Sequence, residues 1–120
     1  MESDIDMEAV QNSEYKDLSG ADLSEADLSG MDLTNVDLSA ADLSRADLSG
    51  TNLKSVHLWH ASLASADLSG ADLSGADLSE ATLTGAHLEG TDLPEADLVE
   101  AKLSDAIIYD ADLSDTSLLA

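Results

Sequence analysis

Residues 66–80 read ADLSG ADLSG ADLSE, and that five-residue unit decides how the rest of the chain is read. Counting outward in fives from Leu68, the register runs from Lys16 to Ala120 without a gained or lost residue. It comprises 21 consecutive units centred on Leu18, Leu23, Leu28 and so on to Leu118, and every centre is Leu except Ile108. A repeat this regular sets the architecture ahead of any other feature.

An α-helix advances about 100° per residue, so apolar side chains five apart would spread around the cylinder and leave no stripe to bury. In an extended chain, each central Leu shares a face with the small residue two positions before it. The step from one Leu to the next small residue is odd, which flips the face unless the backbone bends. The chain must therefore turn once per unit and coil around a core. Two side chains of each unit point inward and three outward.

The departures from the consensus count the sides of the coil. The small inward position is Ala in 14 of 21 units, the exceptions being Lys16, Met31, Val36, Thr51, Val56, Thr91 and Thr116. Folded on a period of 20, all seven fall on two adjacent sides and the other two sides are Ala throughout. Folded on 15, they scatter over every side. Gly30, Gly50, Gly70 and Gly90 also stand 20 apart, which marks a corner needing positive φ or close backbone approach. A four-sided coil is expected, with Ile108 and the central Leu residues inside.

The ADLSG units resemble those of the pentapeptide-repeat family across residues 16–120. The resemblance implies an all-β fold, a right-handed quadrilateral β-helix of about five coils. Its motif residues are structural, so it says far more about fold than about function. A coil spacing of about 4.8 Å is expected, with an Ala stack beside the Leu stack. A larger residue on either all-Ala side should overpack. Thr51, Thr91 and Thr116 then require nearby backbone partners for their hydroxyls. Pro94, just after a central Leu, is expected at a corner where its missing donor costs nothing.

Residues 1–15 lie outside the repeat and are expected to form an acidic N-terminal cap or tail, with Ser3 able to cap a short helix. Lys16 occupies an inward slot suited to an end coil, where it can reach water. The opening stretch has neither a basic region nor an apolar core, so it reads as neither signal nor transit peptide. With no membrane-length apolar run and no Cys, the expectation is a single cytoplasmic repeat domain without disulfides or membrane contact.

Few residues offer chemistry. Ser, Asp and His recur as scaffold letters on a convex surface with no pocket to desolvate them, so no catalytic residues are expected. No phosphate-binding Gly-rich loop is present, and no cofactor is expected. His57 and His60 lack a third ligand, so no metal site is expected, and His87 reads as a solvated variant of the usual Asp. The unit VHLWH places His57, Trp59 and His60 on the outside, where Trp59 is either a side chain lying over small neighbours or a partner contact. Val99, Ile107, Tyr109 and Leu119 make outward slots apolar near the C-terminus and suggest a self-association surface, hence a homodimer.

Charge is the strongest functional signal: 26 acidic residues face Lys16, Arg45, Lys54 and Lys102, a formal net charge of −22. Thirteen of the acids directly precede a central residue, where the family motif itself prefers Asp. The other thirteen are not required by the repeat. Direct nucleic-acid binding is excluded, because phosphate contacts need Lys and Arg. A period of 20 would stack Asp27 on Asp47 on Asp67 and Asp72 on Asp92 on Asp112, with splayed rotamers and raised carboxyl pKa values relieving part of the repulsion. Three uses fit: a scaffold for an unidentified protein partner, a surface adapted to high salt, or a DNA mimic that binds a type II topoisomerase such as DNA gyrase. The first two are compatible and are preferred together.

Overall fold

The computed structural model describes residues 17–118. The N-terminal segment 1–15, Lys16 and Leu119 lie outside these residues.

Parallel bridges connect residues 20 apart, from Asp17 to Asp37 through Asp97 to Ser117. Four such bridges follow one another in every 20 residues, so the coil has four sides. Side 1 carries Leu18, Leu38, Leu58, Leu78, Leu98 and Leu118. Sides 2, 3 and 4 carry the units centred on Leu23, Leu28 and Leu33 and their period-20 successors.

One bonding pattern repeats on every side. Leu18 N–H donates to Asp37 O at 2.7 Å and Gly20 N–H to Ser39 O at 2.8 Å, while Asp42 N–H returns to Ala21 O at 2.9 Å. The corner closes locally, Ala21 N–H donating to Leu18 O at 3.0 Å. This is the hydrogen bond of a four-residue turn whose third position takes positive φ.

Every residue two after a centre, from Gly20 to Asp115, has φ between 56° and 70°. The glycine column at 30, 50, 70 and 90 therefore does not mark a special corner, because all four sides turn in this way. Nothing lies within 4 Å of where a Cβ would stand on these four glycines, which leaves φ, not close approach, as their advantage. Thirteen non-glycine residues hold the same left-handed conformation, among them Glu25, Ala40, Arg45 and His60. Such a residue costs about 1–2 kcal/mol, and the coil-to-coil bond made by its own N–H helps to hold it there.

The core is a stack of leucines from Leu18 to Leu98 beside buried alanines. Thr51 and Thr91 are fully inside, and their hydroxyls donate to Leu28 O at 3.1 Å and Leu68 O at 2.8 Å on the neighbouring coil. Thr116 donates to Leu113 O at 2.8 Å. Pro94 occupies the second turn position, where the usual N–H donates to the Asp side chain and not to the ladder. Its carbonyl still accepts from Gly75 N–H at 2.9 Å. Ile108 departs from expectation. It lines the core column at the C-terminal end, yet it is 47% exposed because no described coil covers it.

Candidate functional site

The outer surface is set by the pair of residues flanking each central Leu. Asp67 Oδ1 accepts Ser69 N–H at 3.0 Å and the Ser69 hydroxyl at 2.6 Å. The same closure recurs at Asp17, Asp22, Asp27, Asp42, Asp47, Asp72 and Asp77 with the Ser two residues on. An Asp side chain thus stitches each of these corners, and the acid is an anchor before it is a charge.

The bridges confirm the vertical stacking of Asp27, Asp47 and Asp67 and of Asp72, Asp92 and Asp112. At Asp27, Asp67, Asp72 and Asp112 the expected raised carboxyl pKa values do not follow. At Asp67 the Ser69 hydroxyl and then its N–H hold the carboxyl below its ordinary value, outweighing partial desolvation, with help from His87 in the same ladder. Asp17, Asp22 and Asp27 are lowered by the corresponding Ser hydroxyl and N–H, and Asp112 by the N–H and hydroxyl of Ser114. At Asp72 desolvation is the largest single influence and pushes upward. The Ser74 hydroxyl and N–H together with Lys54, whose Nζ stands 3.7 Å from Asp72 Oδ2, more than reverse it. Hydrogen bonding to the ionised form wins over stacking like charges.

At residues 57–60 both members of the stitch are replaced, His57 for Asp and Trp59 for Ser. His57 sits in the side 1 ladder between Asp37 and Asp77. Trp59 is 46% exposed, and its ring lies 4.9 Å from the His60 imidazole at an interplanar angle of 37°. His60 Nε2 is 3.7 Å from Glu80 Oε1, an ion pair when the imidazole is protonated. The three sequence candidates therefore share one face, an aromatic island with acidic residues above and below it. His87 lies on side 3 beside Glu89, 3.4 Å from its carboxylate. Among the described residues, no group of three or more His, Asp or Glu could hold a metal ion. No helix among them is long and apolar enough to cross a membrane.

The C-terminal candidates do not form one lateral patch. Val99 is half-buried on side 1, whereas Ile107 and Tyr109 are exposed on side 3, across the coil. Reading only outward slots missed what lies between them. Ile108, Leu113 and Leu118, core letters by register, line an open apolar cavity of about 130 Å³ at the end of the rod. They stand open because the described residues stop before a coil that could cover them.

A four-sided coil with a five-residue repeat, a Leu core and Asp-stitched corners defines a class of repeat solenoid whose letters are structural. The family model described as "Pentapeptide repeats (8 copies)" matches residues 17–54, 46–85 and 81–118, and the chain belongs to that family. It is similar to a pentapeptide repeat protein of the Arabidopsis thaliana thylakoid lumen, with 33% identity over 90% of this chain and 72% of that one, at a TM-score of 0.80. A pentapeptide repeat protein from Nostoc is 36% identical over 93% of this chain and 92% of its own, at a TM-score of 0.76. A third, from the cyanobacterium Cyanothece, is 31% identical over 86% and 80%, at 0.67. No curated protein matches the chain.

Proposed function

We propose that this chain is a non-enzymatic, cytoplasmic interaction scaffold, a right-handed quadrilateral β-helix of about five coils that offers side 1 to a protein partner. The observation that carries the reading is Trp59. It is 46% exposed at a corner where both stitching residues have been given up. An exposed Trp on a rigid face is the kind of residue that dominates binding energy. Asp37, Asp77 and Asp97 share its side, so the partner surface it fits is basic. The thirteen acids that the repeat does not require adapt the protein to high salt.

Charge density supports a second reading, a DNA mimic that binds a type II topoisomerase such as DNA gyrase. Removing Glu2, Asp4, Asp6, Glu8, Glu14 and Lys16 from the formal −22 leaves −18 on residues 17–118. At about 4.8 Å per 20 residues that is one net charge per about 1.4 Å of rod, against about 1.7 Å for duplex DNA.

A gyrase supercoiling assay with added protein separates the two. Inhibition that strengthens with dose favours the mimic. For the scaffold, a partner captured by the wild-type protein should be lost with Trp59→Ala and kept with Tyr109→Asp. Equal capture by both variants would overturn the role given to side 1.

A further inference from the structure

Charge alone does not choose a face of this rod. Arg45, Lys54 and Lys102 fall on sides 2 and 4. Side 1 is left with Asp17, Asp37, Asp77, Glu80, Asp97 and Glu100, and side 3 with five acids, neither compensated by Lys or Arg among the described residues. The two faces differ in their aromatic residue. Tyr109 on side 3 is 74% exposed, whereas Trp59 on side 1, the chain's single Trp, is 46% exposed and so half seated on the coil.

The seat of Trp59 is rigid. Its carbonyl accepts Ala40 N–H at 2.8 Å, while Leu58 N–H donates to Asp77 O at 2.8 Å and His60 N–H to Ser79 O at 3.1 Å. Ser39 one coil below and Ser79 one coil above are both short, so the outer face of the indole stays open. His57 bridges to Asp37 and Asp77, which makes those two acids the diagonal neighbours of Trp59. Such neighbours stand about 7–8 Å apart, within reach of a long side chain. The Ser79 N–H and hydroxyl occupy Oδ1 of Asp77, and no donor among the described residues reaches its Oδ2. Glu80 lies on the same coil as Asp77, its Oε1 3.7 Å from His60 Nε2.

We propose that Trp59 seats an arginine of the protein partner, its guanidinium stacked on the indole and its N–H groups donating to the carboxylates of Asp77 and Glu80. This rests on the scaffold reading of side 1 and names the chemistry of its guest. A cation within about 6 Å of a ring centroid is attracted to the aromatic face, most strongly to Trp. Guanidinium suits the site better than ammonium. It is planar, so it stacks, it is more weakly hydrated, and its fork of donors can bond a carboxylate while the plane lies on the ring. Phosphates and anionic headgroups are repelled by the six acids of this side. A neutral sugar could stack on the ring, but it would leave those acids without a part in recognition.

The test titrates the full chain with acetyl-Gly-Ser-Arg-Ser-Gly amide, its lysine counterpart and its neutral citrulline counterpart. Ionic strength is held constant, at about pH 8, above the range in which imidazoles commonly titrate. Binding is read from Trp59 emission and from amide NMR shifts of residues 57–60 and 77–80. The arginine peptide should bind at least about threefold more tightly than the lysine peptide, and the citrulline peptide more weakly than either. The first two carry equal charge, so the diffuse field of the rod cannot produce that preference. Trp59→Leu should abolish it, and Tyr109→Leu should leave it intact. Asp77→Asn keeps an Oδ1 acceptor for the corner, as Asn52 does for Lys54 N–H at 3.2 Å, and should weaken the arginine peptide about two- to fivefold. Glu80→Asn, at a φ of 59° that Asn tolerates, should do the same. Equal affinity for arginine and lysine, a preference that survives Trp59→Leu, or displacement of the arginine peptide by cellobiose would overturn the proposal. A partner captured by the wild type and lost with Trp59→Ala would uphold the scaffold reading even where arginine and lysine bind equally, so the two fail separately.

Discussion

Placing one side chain on two sides of the same coil tests whether the four-sided core has unequal walls. Ala66 and Ala76 are equally buried, at 0% and 1% exposed, and stand on opposite sides. Ala66 on side 3 lies in a column with Ala46 and Ala86, whereas Ala76 on side 1 lies directly over Val56, itself 0% exposed, with Val36 below. Ala→Val adds two methyl groups, worth about 1.6 kcal/mol of favourable transfer wherever there is room. The coils cannot part at either site, since Asp67 N–H to Ala46 O at 3.0 Å and His87 N–H to Ala66 O at 2.9 Å have equivalents in Asp77 N–H to Val56 O at 3.0 Å and Asp97 N–H to Ala76 O at 2.9 Å. What differs is that side 1 already holds valines and the Ala66 column holds none. Strain should therefore exceed the gain at Ala66. We expect Ala66→Val to cost about 1–3 kcal/mol and Ala76→Val to stay within about 1 kcal/mol of neutral. At about 4 °C per kcal/mol the two Tm values should separate by several degrees in thermal melts followed by circular dichroism. Equal losses in urea and heat would show that the two walls are not distinct and that the valines on side 1 carry no information about space.

The acids give two further predictions. The Tm should rise steeply between dilute buffer and about 2 M KCl or NaCl, chloride being preferred because sulfate stabilises by exclusion. A flat Tm would remove the salt-adaptation reading and return weight to a basic partner. Asp67 ionises below its ordinary value when folded, so its stabilisation is present above the unfolded carboxyl value of about 4 and is lost as pH falls through the lower folded one. Ser69→Ala removes the leading cause, so the Asp67 titration followed by NMR should move upward and acid unfolding should begin at higher pH; an unmoved titration would refute the stitch.

The fold was legible because a period-five register leaves a chain few alternatives. The period-20 grouping of Val36, Val56, Thr51 and Thr91 led to the bridges 20 apart, and the need for backbone partners led to the Thr hydroxyl bonds. The turn geometry was less legible. Glycine announces positive φ, but Glu25, Arg45 and His60 hold it equally, and no side-chain preference betrays them. The purpose of the motif Asp was also hidden, because a letter repeated for its hydrogen bonds looks the same as one repeated for its charge. The candidate face at 57–60 could be read because it sets the chain's single Trp beside two His in outward slots. The joint loss of Asp and Ser does not mark it, since Asn52/Lys54, Ser62/Ala64, His87/Glu89 and Ile107/Tyr109 lose both as well.

The lowered carboxyl values divide the acids into two populations with opposite effects on stability. Asp17, Asp22, Asp27, Asp67, Asp72 and Asp112, held by Ser N–H and hydroxyl donors, are more comfortable ionised in the folded chain than in the unfolded one, so their charge is not what salt must relieve. The destabilising field then comes chiefly from acids with no such donors, such as Glu95 and Glu100. Both are exposed, and both hold positive φ at 63°. Asn35 occupies the same backbone conformation, also at 63°, so Glu95→Asn and Glu100→Asn remove charge at a position Asn tolerates. The double variant should gain Tm in dilute buffer and converge with the wild type at about 2 M KCl, where screening has already removed the difference. Asp67→Ala removes one charge as well, but it also leaves the Ser69 N–H and hydroxyl without their acceptor. Its Tm should fall in dilute and concentrated salt alike. If Asp67→Ala instead raised the Tm in dilute buffer as the glutamate replacements do, the anchored acids would be a net burden and the division between them would fail.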